Sequence, residues 1–184
     1  MPHTAVAHLG ERYAARFYDY VAISPTENTF IVPGTGLGDI QAACIVSLDP
    51  SSLIRRLWHH TSLLYAVVTH LTDPAIVGVA RALSPWKSTP RRHSHDDAPE
   101  ITSIFTAPDR LRCGLGTQLL ARCEDFLAAS GHTRYTVQTA DVESNTARFF
   151  FASVGFLEIK ALTAGVLRLE KRLSSVDSRL SAAL

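Results

Sequence analysis

The chain has 184 residues, 46% of them hydrophobic and 19% charged, which is the composition of one soluble globular domain with a proper core. Eighteen Lys and Arg against 17 Asp and Glu leave a formal charge of +1, so no general field draws nucleic acid or an acidic membrane to it. Three widely spaced cysteines, Cys44, Cys113 and Cys123, form neither a disulfide framework nor a paired zinc site, and MPHTAVAHLGERY lacks the basic start and long apolar stretch of a secretory signal; a reducing cytoplasm is the expected setting.

Val6, Leu9, Tyr13, Phe17 and Tyr20 recur at spacings of three and four, the period of an amphipathic helix over 3–22, or of two shorter ones about Gly10. After Ser24-Pro25, the strand formers of 28–32 and 38–47 predict a hairpin. GTGLGD at 34–39 has glycines like those of a dinucleotide fingerprint, but it joins two strands and opens no helix, so it reads as a turn. Leu48-Asp-Pro-Ser-Ser52 then caps an apolar segment, 53–71, and a further helical stretch, 75–83, follows Thr72-Asp73-Pro74. Arg55, Arg56, His59 and His60 interrupt it and leave far fewer than the roughly 20 apolar residues of a membrane span. A buried helix or a lid over a site comes first among its readings, a partner surface second and a peripheral membrane contact third. The Pro-rich stretch 84–99 is a surface loop; His93, His95, Asp96 and Asp97 are metal-ligand types, but such a loop lacks the supporting shell of a metal site, and no metal is expected.

The second half opens on EITSIFTAPDRLRCGLG, residues 100–116: a strand, a turn at Pro108, and a glycine-bearing loop running into the helix TQLLARCEDFLAAS. Leu119, Leu120, Cys123, Phe126 and Leu127 give that helix one apolar stripe, and Gly131 ends it. Unpaired N–H groups and the helix dipole make the loop a cradle for an anion such as pyrophosphate. Gly114 and Gly116 allow close backbone approach, and Arg110 and Arg112 can add charge-assisted contacts. A strand at 135–139, a short helix at 145–154 and a last strand at 165–171 complete a strand–helix–strand–helix–strand order, hence an α/β domain. One domain is expected over 1–184: N-terminal helices, hairpin and helical insertion (1–83), loop (84–99), anion-binding half (100–173) and tail (174–184).

EITSIFTAPDRLRCGLGTQLL resembles the acyl-CoA-binding motif of the GNAT superfamily of N-acetyltransferases: a strand opening with Glu, then Pro, then Q/R-x-x-G-x-G/A. The family's second hallmark, N-x-x-A followed by an aromatic pair and Gly-Phe, is similar to Asn145-Thr-Ala147, Phe150-Phe151 and Gly155-Phe156. The resemblance covers 98–173, and the earlier part is similar to members with a helical insertion before the central strand. It implies a GNAT-like fold, a mixed central sheet flanked by helices, whose splayed central strands bind acetyl-CoA as co-substrate without a metal. The backbone of Ile104, Phe105 and Thr106 would pair with the pantetheine arm. Arg110, Arg112, Cys113, Gly114, Leu115, Gly116 and Thr117 would surround the pyrophosphate, and Asn145 and Phe151 would complete the cofactor site.

The implied reaction moves the acetyl group to the amine of a small molecule by direct attack. Since an ammonium has no lone pair, a carboxylate must take its proton, and Glu100 is the candidate base, with Asp109 and Glu143 as alternatives. A homodimer is compatible with the resemblance. Four positions depart from the family pattern, and two of them, Leu111 and Phe151, keep open the alternative of a catalytically weak or inactive CoA-binding or partner-binding module. Leu111 stands where Gln or Arg is usual and Arg112 where Gly is common, the Asn-to-Ala spacing is one residue short, and Phe151 replaces a Tyr that protonates the departing thiolate. Cys113 reads as a loop residue in preference to a nucleophile.

Overall fold

The computed structural model describes residues 11–36, 39–53, 56, 98–142, 144–163 and 165–173. The chain divides into two compact units, Met1–Pro25 with Ser51–Asp97, and Thr26–Pro50 with Ala98–Leu184. In the first, helix α1 spans Glu11–Ile23 and buries Phe17, Tyr20 and Val21, the face expected from the spacing of three and four. The Tyr20 hydroxyl accepts from Arg56 Nε at 2.9 Å, and Arg56 also donates to Ser52. The start of the predicted first helix, almost all of the apolar segment at 53–83 and the polar loop with His93 to Asp97 lie outside the described residues. Among the described residues no helix is long and apolar enough to cross a membrane.

The second unit carries the sheet. Its strands are β1 (Glu27–Pro33), β2 (Ile40–Ser47), β3 (Glu100–Thr106), β4 (Arg134–Ala140), β5 (Leu157–Thr163) and β6 (Val166–Arg172), in the order β1-β2-β3-β4-β6-β5. The predicted hairpin forms, with Phe30 opposite Cys44, and its ends are tied at the turn by Gly34 N–H donating to the Asp39 carbonyl at 2.8 Å. Helix α2 (Leu115–Ala129) and helix α3 (Thr146–Ser153) supply apolar side chains to one core. Leu119, Leu120, Cys123 and Leu127 of α2 meet Ala42, Cys44, Val46, Ile101, Tyr135, Val137, Leu167 and Leu169 of the sheet. Strand β5 adds to the elements expected from the sequence. Its alternation, LEIKALT, is a strand signal, and of its apolar residues Leu157 and Ile159 are exposed.

A polar link fixes α2 on the sheet. Tyr135 of β4 donates to Glu124 of α2 at 2.6 Å, and Lys171 of β6 reaches the same oxygen at 2.6 Å. The carboxylate is thereby compensated where it is buried, and the helix cannot slide without breaking both contacts. Burial, and then the hydrogen bond to Glu124, push the Tyr135 hydroxyl above its ordinary value. The unfolded chain therefore releases this proton first, and the stability Tyr135 contributes is complete below a pH of about 10 and is lost as pH rises beyond it. Urea midpoints measured across that range are expected to fall for the natural chain and to fall less steeply for Tyr135→Phe.

All three cysteines are free. Contact with the Cys44 thiol, and then burial, push the Cys123 thiol up, so these two behave as core residues.

Candidate functional site

The site is built where β3 and β4 part. Their parallel ladder contains two pairs, Glu100 with Thr136 and Ile101 with Val137, continued by Thr136 N–H donating to the Pro99 carbonyl at 2.9 Å. Beyond Ile101 the strands diverge. On its other edge β3 stays paired with β2 as far as Thr106, and the register shifts between Ile45 and Val46, so that Thr102 is the extra residue of a bulge. A bulge raises local twist, and this one lies just where β3 turns away from β4.

The antiparallel ladder decides which backbone groups face the opening. Ala107 N–H donates to Gln41, and the alternation then directs the N–H and C=O of Phe105 and Ser103 toward β2. Those of Ile104 and Thr106 point to the β4 side, as an edge onto which an extended chain can add. Of the three residues expected to offer their backbone, Phe105 thus uses its own within the sheet.

The loop after β3 has the form expected of a phosphate cradle. Pro108–Arg110 make one 3₁₀ turn, closed by Arg110 N–H on the Ala107 carbonyl at 2.9 Å. Gly114, with φ of 79°, is the N-cap of α2 and offers no side chain to cap it, and no acid stands in the first turn. Nothing in that turn competes with an anion for its N–H donors, among them those of Leu115, Gly116 and Thr117. Gly116 has a second reason to lack a side chain, since a Cβ there would come within 3.1 Å of the Phe150 ring on α3. Arg112 has φ of 64°, the left-handed region that favours glycine. The departure from the family's glycine therefore retains the glycine conformation, at a cost of about 1 kcal/mol. Arg110 and Asp109 form an exposed ion pair at 3.4 Å. Cys113 is exposed and its thiol donates to the Leu111 carbonyl at 3.7 Å.

Glu100 stands at the other end of β3, at the closing point of the splay. Strand alternation and register put Glu100, Thr136, Gln138, Arg168 and Glu170 on the sheet face opposite the core cluster. Gln138 Nε2 donates to both Glu100 oxygens, at 3.2 and 3.0 Å. Sequence reading misses Gln138, although it lies two residues past Thr136 in an alternating strand, the spacing that returns a side chain to the same face. Asp109 is at the phosphate end of β3, far from Glu100 along the strand, and Glu143 lies outside the described residues.

Asn145 and Phe151 both have partners within the fold. Asn145 is the N-cap of α3: its Oδ1 accepts from Ala147 N–H at 3.1 Å, while Nδ2 donates to Thr139 Oγ1 and the Ala140 carbonyl, both at 2.7 Å. Both amide hydrogens are thus used in tying α3 to β4. Asn145→Ala is expected to cost about 1–3 kcal/mol in urea unfolding, with a smaller effect on the acetyl-CoA KM. Phe151 is 2% exposed, with ring centroids 5.3 Å from Phe150 and 5.1 Å from Phe156. Its ring fills the core, and it brings no proton to the site.

Comparison with known proteins agrees with this architecture. A search of curated proteins gives no match. Among solved structures, SsHAT has a TM-score of 0.56 at 16% identity, covering 93% of this chain and 90% of its own. A GNAT-family protein of Desulfovibrio desulfuricans has 0.56 at 13%, covering 92% and 87%, and an acetyltransferase from Thermus thermophilus has 0.54 at 14%, covering 91% and 81%. At these identities the likeness is one of fold. The model of the acetyltransferase (GNAT) family matches residues 37–156, which takes in the hairpin's second strand, β3, the cradle and the Gly155-Phe156 end of α3. With more than half of its length matched, the chain belongs to the acetyltransferase (GNAT) family and is an acyl-transfer enzyme.

Proposed function

We propose that this enzyme moves an acetyl group from acetyl-CoA to the amine of a small molecule by direct attack, with Glu100 as general base. The observation that carries the reading is the position of Glu100. It stands where the β3–β4 splay closes, with the uncapped α2 N-terminus at the far end of the same strand. The six steps from Glu100 to Thr106 extend about 20 Å at roughly 3.3 Å per residue, on the scale of an extended pantetheine arm.

The residues fit acetyl-CoA, which supplies a thioester already activated for transfer. The first-turn N–H groups of α2 receive the pyrophosphate, with Arg110 and Arg112 at hand for further phosphate contacts. Ile104 and Thr106 receive the arm along their open backbone edge, which directs the thioester toward Glu100. Glu100 takes the proton that the acceptor ammonium must lose, directly or through one water. The nitrogen then forms its bond to the acyl carbon as the C–S bond breaks, and the second proton it sheds on becoming an amide passes to water. With phenylalanine at 151, the proton that the leaving sulfur acquires comes from water.

Release of free thiol from acetyl-CoA, measured against a panel of small amines with mass analysis of the products, tests the proposal. Amine-dependent release with an acetyl unit added to the amine is the expected result. Tight CoA binding with no acceleration by any amine overturns it in favour of a binding module.

A further inference from the structure

Where β3 and β4 part, the β4 side of the opening carries a hydroxyl. The parallel ladder ends at Ile101 with Val137. Counting outward along both strands, with Thr102 passed over as the extra residue of the bulge, brings Thr139 level with Ile104. Ile104 is one of the two residues whose backbone groups face the opening from the β3 side. Thr139 is in register with Leu167 of β6 and shares its face with Tyr135 and Val137, the face of the core cluster, where it is half-buried.

Asn145 fixes this side chain. Its Nδ2 donates to Thr139 Oγ1 and to the Ala140 carbonyl, both at 2.7 Å. Thr136 N–H bonds across to Pro99, and alternation sends the backbone groups of Gln138 and Ala140 the same way, so the Ala140 carbonyl and the amide that reaches it lie on the β3 side of β4. A hydroxyl has one hydrogen to give and two lone pairs with which to receive. The bond from Asn145 uses one lone pair of Thr139, and among the described residues no acceptor takes its hydrogen. Having accepted one bond, such a hydroxyl donates a stronger one.

An extended amide chain laid in the opening needs that donor. In a trans amide the N–H and C=O point opposite ways. When the N–H bonds to the open edge of β3, the carbonyl faces β4, where burial makes an unpaired oxygen costly.

We infer that Thr139 is a cofactor-binding residue whose hydroxyl, held by Asn145, donates to a carbonyl of the pantetheine arm. This rests on the acetyl-CoA reading above and deepens it by naming a donor on the second wall of the opening.

Calorimetric titration with CoA, which requires no turnover, tests the inference on the natural protein, Thr139→Val and Thr139→Ser. A parallel titration uses 3′-phospho-ADP, which has the nucleotide and phosphates of CoA but no arm. Thr139→Val keeps the shape and loses the hydroxyl; it is expected to weaken CoA by about 3- to 10-fold, as loss of one neutral hydrogen bond allows, and to leave 3′-phospho-ADP unchanged. Thr139→Ser should bind CoA as the natural protein does. A hydroxyl that only anchors Asn145 would lower the urea midpoint of Thr139→Val without moving its CoA affinity, and that result overturns the inference. So does an equal loss with both ligands, which traces to the cradle, or a Thr139→Ser variant as weak as Thr139→Val. Should 3′-phospho-ADP bind too weakly to titrate, the CoA affinities of the three proteins decide alone, and should Thr139→Val not fold, Thr139→Ala takes its place. No binding of CoA by the natural protein overturns the cofactor reading and this one with it, whereas a loss confined to CoA in Thr139→Val upholds the inference whether or not any amine is acetylated.

Discussion

Glu100→Gln is expected to lower kcat by about 10²- to 10⁴-fold at neutral pH, the usual contribution of a positioned general base. The substitution keeps the shape of the side chain, and an amide at 100 can still pair with Gln138, so the register of β3 and β4 has no reason to change. Affinity for CoA should hold, because the cradle lies at the other end of β3. The pH dependence separates a base from a structural residue. A missing base matters least where the acceptor has already lost its proton in solution, so the deficit should shrink as pH rises toward the acceptor's own pKa. An equal loss at every pH, together with a lower unfolding midpoint, would instead identify Glu100 as a clamp between two strands.

The second large effect is expected at the cradle. Gly114 has φ of 79°, and among the described residues nothing lies within 4 Å of where a Cβ would stand, so conformation, and not space, requires glycine there. A β-branched residue in that region costs about 1–3 kcal/mol and shifts the N-terminus of α2 to relieve the strain. Gly114→Val should raise the acetyl-CoA KM by about 10- to 100-fold. With acetyl-pantetheine, a donor without the pyrophosphate, the same variant should change KM little. Equal changes with both donors would show a damaged helix in place of a lost phosphate site. Gly116→Ala makes the contrasting case: the added methyl presses on Phe150, so stability should fall before donor selectivity changes.

How much is legible in the sequence follows from how local each feature is. The hairpin, β3, the cradle and α2 are written in short-range signals: alternation, a Pro turn, an apolar stripe, and Gly131, whose φ of 82° and 6→1 bond from His132 to Leu127 form a Schellman end. Register is not local. That Phe105 spends its backbone groups on β2 while Ile104 and Thr106 face the opening depends on a partner strand more than fifty residues earlier. The pairing of Glu100 with Gln138, and of Arg168 with Thr136, arises only when β3, β4 and β6 lie side by side. The motif marks Asn145, but its place as the N-cap of α3, tied to Thr139 and Ala140, comes only with the fold. Phe151 reads from the sequence as a lost proton donor; the structure adds the core packing that its ring provides.

A crystal structure with CoA bound tests the central claim most directly. Pyrophosphate oxygens are expected within hydrogen-bond reach of the N–H groups at the start of α2, and pantetheine amides paired with the backbone of Ile104 and Thr106, so that the sulfur lies toward Glu100. A pyrophosphate bound away from that helix end, or an arm that does not follow the open edge of β3, would contradict it.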